Sequence, residues 1–198
     1  MEKILIASGN KGKIEEIKER FNNFDIEFIA QDKFSQLAEV VEDGDSFREN
    51  AFKKAHTRSR ETGLVTMADD SGLVVEYLNG RPGIYSARFA GENATDEENN
   101  RKLLRLLEGV SEEKRKAYFK CVIALVFPNK QKEVTFSGIC QGKITEEMRG
   151  DNGFGYDPLF YVPEYEKTMA ELSLSVKNQI SHRARALEEM EQYFQQNI

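Results

Sequence analysis

Cysteine and histidine are scarce in this chain, two of each in 198 residues. Cys121 and Cys140 stand without CxxC spacing or a neighbouring Cys/His pair. That pattern argues against a disulfide framework or a zinc site and favours a reducing compartment. Positive charge is in the minority: the net charge is −6 and the isoelectric point about 5.2. No broad basic face for a nucleic-acid backbone is expected, and an anionic ligand must meet a local group of Lys and Arg. No apolar run approaches the ~20 residues a membrane helix needs. "MEKILIASGN" is too short for a signal core and lacks a cleavage site, so the expectation is a cytoplasmic protein with no membrane partner. Repeats and low-complexity segments are absent, as is a Ser/His/Asp or Cys/His order suited to covalent catalysis.

What remains is an ordinary globular balance, 39% hydrophobic and 31% charged, long enough to bury a core as one domain spanning residues 1–198. Ile4 to Ala7 reads as a buried strand, followed by Ile14, Ile17 and Phe21 at helical spacing. "IEFIA" (26–30) is a second strand. Ser46 and Glu49 form a capping box that opens a helix from about 47 to 61. "LVTMADDSGLVVEYL" divides into two strand-like runs around Asp69-Asp70-Ser71-Gly72, and "NGRPG" is dense turn chemistry. "TDEE" (95–98) caps a helix through Leu107. "AYFKCVIALVF" and "EVTFSGIC" read as an antiparallel hairpin about Pro128-Asn129-Lys130. Residues 145 to 158 read as loop, and Ser181 caps a last helix with Leu187, Met190 and Phe194 on one face. Composition dips near 90–95 and 145–155 separate lobes at most, not domains. The mixture predicts an α/β or α+β fold with a mixed sheet.

The chemistry-bearing stretches begin at "LIASGNKGKIEEI", a strand that turns through Gly-Lys into a helix. A P-loop needs Gly, four residues, then Gly-Lys and Ser or Thr. Here Ala7 and Ile14 occupy the first and last of those places, so any metal ligands must lie elsewhere. Backbone amides at a helix start attract anions, and Lys13 adds a point charge. Asp69 and Asp70 at the end of an apolar run serve either as local turn formers or as ligands of a hard cation, which wants oxygen. In "VVEDGDSFREN", Glu49 is accounted for by the cap. Glu42 follows Val40-Val41, and a strand ending there aims it toward Asp69 and Asp70. The Lys53-Lys54 pair reads as surface, and His56 as structural. Phe154 in "GFGYDP" either tucks into the core or offers a stacking face to a planar base. His182 and Arg183, just inside a helix start, are donors for a carbonyl oxygen. Together these are the parts of a metal-assisted nucleotide hydrolase.

The combination resembles the inosine triphosphate pyrophosphatases, or non-standard purine nucleotide pyrophosphatases. "SGNKGK" (8–13), "ENAFKKA" (49–55), "ADDSGL" (68–73), "GRPGIYSARFAG" (80–91), "GFGYDPLF" (153–160) and "KNQISHRAR" (177–185) occur in that family's order over almost the full length. One departure is Asn152-Gly153 where the family usually has a Gly pair. Asn tolerates left-handed backbone angles, so the loop shape is expected to survive.

The resemblance implies two lobes around a long, twisted mixed sheet, a site in the inter-lobe cleft and a homodimer. It also implies Mg2+-dependent hydrolysis of ITP, dITP and XTP to the monophosphate and pyrophosphate. It assigns Ser8, Gly9, Asn10, Lys11, Gly12 and Lys13 to the triphosphate, and Glu42 and Asp70 to magnesium, with Asp69 nearby. Asp70 becomes the proton acceptor and Ser71 a substrate contact. Phe154, Gly155, Tyr156, Asp157, Lys177, His182 and Arg183 line the base and sugar site. The rivals are a house-cleaning pyrophosphatase for pyrimidine or methylated nucleotides, against which the FGYDP and SHR motifs argue, and a nucleotide sensor without turnover, which would lack the metal carboxylates.

Overall fold

In the computed structural model, residues 2–35, 37–128 and 132–197 are described. Strand β1 (Glu2–Ile6) leads into helix α1 (Lys11–Arg20), strand β2 (Ile26–Ala30), helix α2 (Phe47–Thr62) and strand β3 (Val65–Val75). Then follow α3 (Asp96–Leu106), β4 (Lys116–Phe127), β5 (Lys132–Ile144), β6 (Phe160–Val162), β7 (Lys167–Thr168), α4 (Leu174–Ile180) and α5 (His182–Asn197). The seven strands pair in the order β2-β1-β3-β4-β5-β6-β7. β1 runs parallel to both β2 and β3, whereas β6 is antiparallel to β5 and β7, so the sheet is mixed. β4 and β5 are neighbours joined by four residues, too few for a parallel crossover, which makes them the expected hairpin. Asn129 and Lys130 of its expected turn lie outside the described residues.

Backbone contacts divide the chain into two compact units. The first is Met1–Asp70, Cys121–Ser137 and Ala186–Ile198; the second is Ser71–Lys120 and Gly138–Arg185. The first unit is built on Ile4, Ile6, Ile17, Phe21, Phe28, Ile123, Leu125, Leu187, Met190 and Phe194, all buried. Phe21 meets Phe194 edge-on with ring centroids 5.4 Å apart. The apolar positions foreseen on α1 and α5 thus meet in one cluster, the usual way an amphipathic helix gains stability. The second unit closes on Leu73, Leu103, Leu107, Phe119, Tyr156, Phe160 and Met169.

Local signals explain most element boundaries. Asn10 caps α1 by accepting from the Lys13 amide at 3.2 Å. Ser46 caps α2 by accepting from the Glu49 amide, but the Glu49 carboxylate accepts from Asp45 rather than closing the box on Ser46. Thr95 and Glu98 complete a reciprocal box at α3. Ser181 accepts from the Ala184 amide at the start of α5.

Three expectations need correction. Asp69 to Gly72 do not break the chain into two strands, because β3 runs straight through them. Poor strand propensity is overridden where side chains find tertiary partners. No strand ends at Glu42; residues 37–45 are irregular and Val41 is exposed. Asn152 is not in the left-handed region either: in its loop that conformation falls on Gly150, Gly153 and Gly155.

Candidate functional site

In the first unit the β1–α1 turn folds on its own polar groups. Ser8 Oγ accepts from the Asn10 amide at 3.2 Å, and Asn10 takes the amide of Lys13. Gly9, Asn10, Lys11 and Gly12 are exposed at the start of a ten-residue helix, where backbone N–H groups lack intrahelical partners. Lys13 reaches back to β3 and pairs with the buried Asp69 carboxylate at 2.7 Å.

Successive side chains on a strand alternate between faces. Asp70 accordingly meets α2, not α1: Asn50 donates to its Oδ2 at 3.1 Å, and the Lys54 ammonium lies 3.8 Å from its Oδ1. The same ammonium donates to Glu42 Oε2 at 2.8 Å. Glu42 and Asp70, 28 positions apart in the chain, therefore present oxygens to one cation. Burial raises the Asp70 carboxyl above its ordinary value, and Glu42 adds to the rise, against the opposing pull of Lys54 and Asn50. Burial works to lower Lys54, but the Asp70, Glu42 and Asp69 carboxylates outweigh it and hold the ammonium charged.

This donor set suits a hard divalent ion. Magnesium is usually held by one or two carboxylates, with water and substrate oxygens completing six positions. Glu42 and Asp70 could supply that pair, since both carboxylates already converge on a positive charge. Among the described residues no group of three His, Cys, Asp or Glu side chains forms a fuller cage, and Asp69 is engaged by Lys13.

The second unit carries the aromatic loop. Phe154 is 56% exposed, which decides against the core reading and leaves a ring face open. Lys177 from α4 lies 5.5 Å over that ring and donates to Asp157 Oδ2 at 2.5 Å. The Phe154 amide donates to the same carboxylate oxygen at 3.1 Å. Tyr156 is buried and donates its hydroxyl to Ser86 O at 2.8 Å; burial, then the Asp96 carboxylate, pushes the phenol up so that it remains a donor. At the start of α5, His182 stacks on Phe119 at 4.9 Å with 16° between planes. Arg183 is buried, its Nη2 3.5 Å from Ser71 Oγ.

The expected residues thus fall into two groups. Lys13, Glu42, Asp69 and Asp70 gather with the Ser8–Gly12 turn in the first unit. Ser71, Phe154 to Asp157, Lys177, His182 and Arg183 belong to the second. Two members of the first group escaped the sequence reading. Lys53 is a surface residue paired with Asp43, as expected, but Lys54 has a side chain only 16% exposed and bridges two carboxylates. Asn50 is fully buried. The available signal was their four-residue spacing, which places both on the helix face that also buries Phe47 and Ala51. His56 also has partners: it stacks on Phe52 and lies 3.0 Å from Glu133.

Comparison with known proteins places these groups in context. The profile of the Ham1 family matches residues 4–193. A dITP/XTP pyrophosphatase of Bacillus anthracis is 50% identical over 193 residues, 97% of this chain and 96% of that protein. A dITP/XTP pyrophosphatase of Thermoanaerobacter pseudethanolicus is 51% identical over 191 residues, covering 96% of each. The structure of a HAM1 protein from Coxiella burnetii superposes with a TM-score of 0.94 at 44% identity, over 99% of this chain and all of that one. The Staphylococcus aureus Ham1 protein gives 0.92 at 43% identity, covering both chains completely.

Proposed function

Because the chain belongs to the Ham1 family, we propose that it hydrolyses non-standard purine nucleoside triphosphates (ITP, dITP and XTP) to the monophosphate and pyrophosphate. The observation that carries this reading is the convergence of Glu42 and Asp70 on the Lys54 ammonium. A nucleoside triphosphate carries two chemistries that match the two residue groups. Its polyanion suits the helix start and lysines of the first unit; its planar base suits the exposed ring of the second.

Glu42 and Asp70 would hold a magnesium ion, which when bound offsets phosphate charge that otherwise repels an attacking hydroxide. Asp70 orients and deprotonates the attacking water, a task suited to a carboxylate whose affinity for protons is raised by burial. Lys13 steadies charge building on the departing pyrophosphate. On the base side, donors from Arg183 and His182 match the 6-carbonyl of hypoxanthine and xanthine. Adenine presents a 6-amino donor there and is disfavoured. The enzyme acts as a cytoplasmic homodimer on the free nucleotide pool; static light scattering on the purified chain tests the dimer.

The deciding experiment is incubation with inosine triphosphate and Mg2+ followed by a pyrophosphate assay. Stoichiometric pyrophosphate and inosine monophosphate support the proposal. Release of single phosphates, or binding without turnover, overturns it.

A further inference from the structure

The stacking ring is exposed, yet the backbone beneath it is tied down from an element outside the matched loop motif. The Gly155 amide donates to Asp96 Oδ2 at 2.7 Å, and the Gly155 carbonyl accepts from Asn100 Nδ2, also at 2.7 Å. Asp96 and Asn100 lie one turn apart on α3, so they present both side chains on one face. With the Phe154 amide held by Asp157, three backbone polar groups of Phe154 and Gly155 are fixed by side chains.

The first turn of α3 is built to leave these two residues available. Capping is done by Thr95 and Glu98, so the Asp96 carboxylate is not needed at the helix end. Asn99 anchors the neighbouring segment, donating to Ala87 O and accepting from the Ala90 amide. Asn100 is 2% exposed, and its Nδ2 serves two acceptors, Asp96 O and Gly155 O. Those two acceptors fix which way its amide faces; its Oδ1 bonds to none of the described residues. Leaving a buried acceptor unpaired is unfavourable, so the orientation is maintained by what Nδ2 holds.

We propose that Asp96 and Asn100 are positioning residues that clamp the Gly155 peptide and so hold the Phe154 ring in place to stack on the nucleobase. The inference rests on the nucleotide reading given above. An exposed ring on a glycine-flanked loop samples many directions, and ordering it at each binding event costs affinity. A clamp that fixes the loop beforehand removes that cost for the base half of the substrate. It contributes nothing to the binding of a polyphosphate that lacks a base.

The test compares D96A and D96N with E97A, a neighbouring acid on the same exposed first turn that pairs with Arg101 instead. Asp96 is exposed, so none of the three is expected to lower the melting temperature appreciably. For D96A the expected result is a rise in KM for inosine triphosphate of about tenfold, one charge-assisted hydrogen bond, with kcat within twofold. D96N, which keeps an acceptor, recovers part of the loss. E97A matches wild type, and competitive inhibition by inorganic tripolyphosphate is the same in all four proteins. In D96A the Gly155 amide proton moves upfield in NMR spectra, a readout independent of turnover. Unchanged KM in D96A, an equal effect in E97A, or an equal loss of tripolyphosphate affinity overturns the clamp. If wild type does not hydrolyse inosine triphosphate at all, the nucleotide reading itself fails, and the Gly155 resonance still reports whether the clamp exists.

Discussion

Asp69 and Asp70 are bonded neighbours on one strand, yet their carboxylates answer to different helices: Asp69 to Lys13 of α1 at 2.7 Å, Asp70 to Asn50 of α2 at 3.1 Å. Strand alternation divides two identical side chains between two environments. One becomes an ion-paired anchor, the other a buried carboxyl shared between an amide and an ammonium.

Burial raises the Asp70 carboxyl above its ordinary 3.8. A proton acceptor works only when ionised, so turnover should fall as pH drops through that raised value. Stability runs the other way. The folded chain holds this proton more tightly than the unfolded chain, so Asp70's contribution is favourable in acid and lost as pH rises from the ordinary value through the folded one. D70N should lose at least ~100-fold in kcat and melt no lower than wild type at neutral pH. Profiles of kcat/KM and calorimetric melts against pH check both; a D70N protein with wild-type turnover removes Asp70 from the chemistry.

If Glu42 and Asp70 hold a divalent ion as proposed, the Lys54 ammonium competes with it for their oxygens. K54M should therefore bind Mg2+ more tightly in the absence of nucleotide, by about tenfold or ~1.4 kcal/mol, while turnover falls. Titration calorimetry on the nucleotide-free protein reads the affinity, and the rise in melting temperature at saturating Mg2+ should be larger than in wild type. Weaker Mg2+ binding in K54M would mean that the two carboxylates do not serve a metal.

Gly153 sits at φ +85°, and a Cβ there would run into Asp157 Oδ2 and Lys177 Nζ. G153A thus meets two penalties, the left-handed backbone at about 1–2 kcal/mol and displacement of the Asp157–Lys177 pair. The expected outcome is a lower melting temperature with a several-fold higher KM for inosine triphosphate. N152G, by contrast, changes a position outside the left-handed region and should leave the KM within twofold.

Arg183 is buried beside Ser71, so truncation risks the fold; R183K keeps the charge and removes the planar fork. If Arg183 reads the 6-carbonyl, R183K should reduce the preference for inosine over adenosine triphosphate at least ~10-fold, out of the ~10⁴ that a mismatched polar group can supply. Competition kinetics with both nucleotides measures it. Unaltered discrimination assigns the selectivity to another group.

Much of this arrangement was legible along the chain. The caps at Ser46, Thr95 and Ser181 are local, since each side chain bonds an amide three residues on, and they locate the helix starts. The spacing of Leu187, Met190 and Phe194 gives the inner face of α5 for the same reason. The Asp-Asp-Ser-Gly stretch was misleading because its residues favour turns when alone. In the folded chain Lys13, Asn50 and Lys54 satisfy the carboxylates from outside the strand, and the strand continues. Asp96 and Asn100 gave no signal, because their partner Gly155 is 55 or more positions away.

The order of amino acids by itself determined where helices begin, which faces are apolar, which residues carry charge and which motifs recur from the family. Those depend on neighbours within a turn or two. Only the tertiary structure decided that Lys54 and not Lys53 joins the carboxylates, that Asp69 and Asp70 part company, and that α3 holds the aromatic loop. Each of these is a contact between segments distant in the chain: local spacing gives the face a side chain takes, and packing in three dimensions sets the partner it meets there.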